Sequence, residues 1–157
     1  MIESAKGKLQ DIVAFRLPPG TDVFQGIVEI CKQYNIKNGV ILSALGSWKK
    51  ASFCNPVTLP NGKPGYGSTT VLSGNGFYEL LNFSGMISHD ESGNILPHVH
   101  LTVSDELGNA HGGHLVEGCE VLLTTDIVIG ICADIIMGRR FDEDLGVPLF
   151  APKNIAT

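Results

Sequence analysis

The stretch Leu96-Pro97-His98-Val99-His100-Leu101-Thr102-Val103-Ser104-Asp105, followed by Glu106-Leu107-Gly108 and then Asn109-Ala110-His111-Gly112-Gly113-His114, decides how this chain folds. From Pro97 to Ser104 apolar and polar residues alternate, the period of a strand with one buried face. A three-residue loop with glycine in the left-handed position is a favoured connection between antiparallel strands, so Asp105 should face Asn109. Counting back along both strands then sets His100 opposite His114. Cross-strand neighbours sit roughly 4.5–5.5 Å apart at Cβ, so His98, His100 and His114 should converge on one spot. Three neutral imidazoles around an ion that keeps a further coordination position is the open arrangement of functional zinc sites. The competing reading is a set of ordinary polar residues on a solvated sheet face, satisfied by hydrogen bonds. His111 has the opposite parity to His114 and should face away, and His89 belongs to a different strand end and reads as surface.

Working outward, 157 residues make one ordinary domain, long enough to bury a sufficient core without disulfides. The chain is 43% hydrophobic and only 17% charged, which points to apolar surface buried between subunits, and so to self-association. Cys31, Cys54, Cys119 and Cys132 form no CxxC pair and read as reduced, mostly buried thiols. The first residues lack the apolar core of a signal peptide, and no run is long enough to span a membrane, so a cytoplasmic protein without membrane contact is expected. A net charge of −5 is the wrong sign for affinity built on neutralising phosphates, which disfavours DNA as a partner. Lys49-Lys50 and Arg139-Arg140 are too short for a nucleic-acid stripe; Arg139 and Arg140 remain candidates for a small-anion contact.

Asp11–Leu17 reads as a strand stopped by Pro18-Pro19-Gly20. A helix follows, with Asp22 as N-cap, Val23, Ile27, Ile30 and Cys31 as its apolar stripe, and Asn35 at its end. Gly39–Gly46 is a nearly continuous apolar run, as expected of a central strand buried on both faces. Ala51–Cys54 follows, and then Asn55–Gly76 reads as a long functional or mobile loop. Strands are expected over 77–87, 95–105, 110–116 and 120–131, with a Gly/Pro-broken tail packing back on the sheet. The fold class is therefore α+β, a single domain with a mainly antiparallel sheet and one principal helix. Residues 1–10 read as an N-terminal extension, 11–150 as the domain and 151–157 as a C-terminal tail.

No Gly-Lys-Ser/Thr loop or Gly-x-Ser-x-Gly elbow is present, so phosphate cradling and a serine nucleophile are without support. Cys119 falls near His114 but reads as a small core residue. No catalytic residue is identified; Glu117 and Glu120 are weak candidates for a general base if an ion binds water, and Glu117-Gly118 also reads simply as a turn.

Arg16-Leu17-Pro18-Pro19-Gly20, Ser43-Ala44-Leu45-Gly46-Ser47, Gly76-Phe77-Tyr78-Glu79-Leu80-Leu81-Asn82-Phe83-Ser84-Gly85, His98-Val99-His100-Leu101 and Gly112-Gly113-His114-Leu115 together resemble the plants and prokaryotes conserved (PPC) domain, over nearly the whole chain. The resemblance implies an α+β domain assembling as a homotrimer and places metal ligation, as in some prokaryotic members, on His98, His100 and His114. Plant relatives carry an Arg-Gly-Arg-Pro AT-hook for the minor groove; nothing like it occurs here, so the resemblance is to the stand-alone prokaryotic type. Three functions remain open: a trimeric divalent-metal protein with zinc as first choice, a metal-dependent enzyme acting on a small acidic substrate, and a DNA-binding or regulatory interaction module.

Overall fold

The computed structural model describes residues 2–155. In chain order its elements are β1 (Lys8–Leu17), α1 (Val23–Gln33), β2 (Gly39–Cys54), β3 (Pro56–Thr58), β4 (Pro64–Tyr66), β5 (Thr70–His89), β6 (Ile95–Ser104), β7 (Ala110–Leu115), β8 (Glu120–Ala133), β9 (Ile135–Asp142) and β10 (Val147–Asn154). Eight strands form one sheet in the order β1-β8-β2-β7-β6-β5-β9-β10. Gly39 of β2 pairs with Ile131 of β8 and also with Ile87 of β5, so β5 lies along the edge opposite β8. Because the same edge of β2 that meets β8 continues onto β7, strands β2, β7, β6 and β5 close into a ring. β1 begins at Lys8 and β10 runs through Ala151–Asn154.

The helix forms where capping and periodicity place it. Asp22 Oδ1 accepts a hydrogen bond from Gln25 N at 3.0 Å, satisfying one of the free donors of the first turn. Val23, Ile27 and Cys31 lie at helical spacing with no exposure and join a core that also holds Trp48, Phe83, Val99, Leu101, Val103, Ile127 and Ile129. Val28 joins that buried face, whereas Ile30 is only half-buried. Burial pushes the Cys31 and Cys119 thiols up to about 12, so both are inert packing groups; the Cys119 sulfur accepts from the Ser52 backbone N–H at 3.1 Å.

Three expectations need correction. Gly39–Gly46 and Ala51–Cys54 belong to one 16-residue strand, which is central but not buried on both faces: Leu42 is 48% and Leu45 67% exposed, because the helix covers only one side. Asn55–Gly76 is not a single loop. Leu59 N donates to Lys63 O at 2.8 Å across Pro60-Asn61-Gly62, closing the small β3–β4 hairpin, and β5 starts at Thr70. The Gly/Pro-broken tail is itself the regular β9–β10 hairpin, tied to the main sheet through a parallel pairing of His89 with Gly138.

Candidate metal centre

The β6–β7 hairpin has the register that its loop demands. Asp105 N donates to Asn109 O at 3.0 Å, and Asp105 Oδ1 accepts from Leu107 N and Asn109 N at 3.0 and 2.8 Å. Gly108, at φ 83°, takes the left-handed position that only glycine adopts without cost. Those carboxylate bonds, with one from His111 as the largest contribution, hold Asp105 well below the usual carboxylate range. From this anchor the pairing runs Val103 with His111 and His100 with His114. Pro97, Val99, Leu101 and Val103 point into the core, so His98 and His100 are turned to the opposite face.

β5 completes the platform, with Ser84 opposite His100 and Met86 opposite His98. Gly113 matters just before His114: a Cβ there would lie 2.7 Å from Cys54 O and 2.6 Å from Asn55 Oδ1, so only glycine lets the end of β2 close against β7. The ring centroids of His98 and His100 are 5.3 Å apart, His98 and His114 4.9 Å, and His100 and His114 5.5 Å. One nitrogen from each ring lies within 4.8 Å of the others. Among the described residues His114 Nδ1, which is buried, has no hydrogen-bond partner, an orphan that a metal ion or a proton acceptor would satisfy. A purely hydrogen-bonded histidine cluster would leave no such nitrogen. The donor set of three imidazoles suits zinc or a similar divalent ion, so the residues present fit a metal.

Two further side chains border the triad. The Tyr66 ring, from the β3–β4 hairpin, sits 5.3 Å from that of His114. Arg139, from β9, places Nη2 2.7 Å from His98 Nδ1. Of the two candidate anion-binding arginines, only Arg139 reaches this place; Arg140 pairs instead with Glu3 at 2.6 Å. Glu117 and Glu120 are not at the triad: Glu117 accepts from Gln25 Nε2 at 2.7 Å beside the helix, and Glu120 pairs with Lys49 at 3.2 Å. His111 bonds Asp105 at 3.1 Å, and His89 Nδ1 lies 3.1 Å from Lys37 O.

Burial, reinforced by the charge of Arg139 and by the neighbouring imidazoles, lowers the His98 pKa to about 4; burial also lowers that of His114. Lowering a histidine pKa favours the neutral, ligating form, so protons compete weakly with a metal here. Three ordinary imidazoles would together carry about 1.5 protons at pH 6.5. Metal binding to this triad at that pH should therefore release fewer than about one, read by calorimetry in buffers of different ionisation enthalpy. Release of 1.5 or more, as an order-of-magnitude benchmark for unperturbed rings, would show that His98 and His114 are not held neutral.

The Plants and Prokaryotes Conserved (PCC) domain matches the chain over residues 4–133, a span that includes the helix, the closed ring of strands and all three histidines. This chain belongs to the PCC domain family. Among solved structures, it is similar to a plant- and prokaryote-conserved protein of Pyrococcus horikoshii, at 24% identity and TM-score 0.80 with 100% of each chain covered. It is also similar to a protein of Archaeoglobus fulgidus described as metal-containing, at 23% identity and TM-score 0.81, covering 95% of this chain and 99% of that one. Both likenesses concern the fold. Among curated proteins, the bifunctional protein GlmU of two Synechococcus strains is 30% identical over 135 residues. The chain spans only 19% of the length of these relatives while 86% of it is matched, so the matched region is a small part of a much longer protein.

Proposed function

We propose that this PCC-domain protein is a cytoplasmic homotrimer that binds a divalent metal, zinc as first choice, through His98, His100 and His114. The observation that carries the reading is the convergence of three imidazole nitrogens within 4.8 Å on a rigid β-hairpin, with the buried His114 Nδ1 left unpartnered. The metal-containing description of the Archaeoglobus protein points the same way. A divalent ion on three neutral imidazoles supplies a Lewis-acidic centre with room for one more ligand. Glu117 and Glu120 are engaged elsewhere and supply no base to the triad, which favours ligand binding over hydrolysis.

Self-association is supported by the uncovered face of the sheet, and three as its number by the family resemblance. Leu9 and Leu42 both approach the space above Gly130, and Ile12 pairs with Gly130 directly. Leu9 is 56% and Ile12 64% exposed, so one apolar surface runs across β1, β8 and β2. DNA binding is disfavoured by the net charge of −5. Among the described residues no helix is long and apolar enough to cross a membrane.

Elemental analysis of the purified chain should give stoichiometric divalent metal, and sedimentation at micromolar concentration should give a trimer. Absence of bound metal after incubation with excess zinc would overturn the first half; a monomer would overturn the second.

A further inference from the structure

Arg139 is an uncommon neighbour for a cation site. Its Nη2 donates to His98 Nδ1 at 2.7 Å, while its buried Nε has no partner among the described residues. Among the described residues no carboxylate pairs with it, in contrast to Arg140 and its Glu3. Burial lowers the pKa of the Arg139 guanidinium, with Tyr66 acting in the opposite sense. The group nonetheless stays charged at any physiological pH.

The bond to His98 is incompatible with a metal on that ring. A neutral imidazole carries one N–H and one lone pair. If an ion takes Nδ1, it takes the lone pair that Arg139 uses. If it takes Nε2, the proton moves to Nδ1, and two donors then face each other. Either way the ion displaces Arg139 and leaves its Nε and Nη2 donors together, next to a new positive charge. Nε and Nη2 form the side-on fork of a guanidinium, the geometry that grips a carboxylate or phosphate with two parallel hydrogen bonds.

We infer that Arg139 makes the metal centre a coupled site, bonding His98 when no ion is present and, once displaced, gripping a small oxyanion beside the bound ion. The inference rests on the metal reading of the triad. An anion compensates the clustered charge of ion and guanidinium, so each ligand should tighten the other by the same factor. Arg139 reaches His98 from the wall of an open cleft of about 210 Å³ that it shares with Arg140, Lys153, Asp90 and Glu91.

The test is titration of metal-free protein with Co²⁺ in perchlorate buffer, alone, with acetate and with inorganic phosphate, read by calorimetry and by the visible cobalt spectrum. Wild-type affinity should rise about tenfold or more with at least one of the two anions, the planar and tetrahedral arms showing which shape fits. Acetate and phosphate that merely complex cobalt in solution would lower it instead. Arg139→Gln should bind cobalt more tightly than wild type without anion, having lost the competing donor, and should show no enhancement with it. Arg140→Gln should keep the wild-type enhancement. If Arg139→Gln fails to fold, Arg139→Lys takes its place: it keeps the charge, lacks the fork and should lose the enhancement. Cobalt affinity that ignores both anions would overturn the coupling and leave the triad standing; no cobalt binding under any condition would overturn both.

Discussion

Replacing Trp48 by alanine should destabilise the domain by about 4–5 kcal/mol, the upper range for truncating a fully buried large side chain. Trp48 has no exposed surface, and its ring meets Phe83 edge to face at a centroid distance of 5.9 Å. It also donates Nε1–H to Thr125 Oγ1 at 2.9 Å, and Thr125 is itself fully buried. The alanine variant thus loses a large apolar volume, an aromatic pair and the donor to a hydroxyl that water cannot reach. Trp48→Phe separates these contributions: most of the ring contact survives, and the orphaned hydroxyl alone costs about 1–3 kcal/mol. Urea unfolding reads both, provided that the m-value is unchanged. A loss below about 2 kcal/mol for Trp48→Ala would mean that β2 repacks and that the tryptophan does not organise the ring of strands.

That tryptophan is hard to read from the sequence, and the reason applies across the chain. Where a strand is regular, alternation reports its buried face: Pro97, Val99, Leu101 and Val103 do so in β6, and the Asp105–Asn109 loop then fixes the position of His114. Around Trp48 the pairing with β8 shifts register on both sides, between Gly46 and Trp48 and between Trp48 and Lys50. Each bulge inverts the parity that alternation depends on, and the adjacent Lys49-Lys50 resembles a surface pair. The Asn55–Gly76 stretch is obscured differently, since Pro60-Asn61-Gly62 announces a turn but strands of three residues are too short to show a period. The triad is legible because its geometry is local to one hairpin. Arg139 and Tyr66 are not, because they arrive from other elements: Arg139 is 41 residues from His98, and β9 is brought beside the site by the pairing of His89 with Gly138 and by Met137 N donating to Asn38 Oδ1. Composition reported the exposed leucines of β2 as excess apolar content without saying where they lie.

His100→Ala should abolish stoichiometric zinc binding while leaving the metal-free fold unchanged. His100 is solvent-exposed, its cross-strand partner is His114, and its own backbone pairing with Ser84 and His114 does not depend on the imidazole. A substitution of this kind alters stability by no more than about 0.5 kcal/mol. For the ion the change is severe, since His98 and His114 alone offer two ligands where zinc takes three or four. Thermal unfolding makes the contrast measurable: zinc at a hundredfold excess over its dissociation constant stabilises the wild type by about 2.7 kcal/mol, because it binds the native state alone. In a domain of this length that corresponds to a rise in Tm of roughly 5–10 °C, and His100→Ala should show none of it. His111→Ala is the internal control. Its ring bonds Asp105 at the loop end of the hairpin, so it should keep the zinc-dependent rise even if the metal-free protein melts somewhat lower. Loss of the rise in His111→Ala with its retention in His100→Ala would mean that the metal sits on the other face of the hairpin, and the assignment to His98, His100 and His114 would fall.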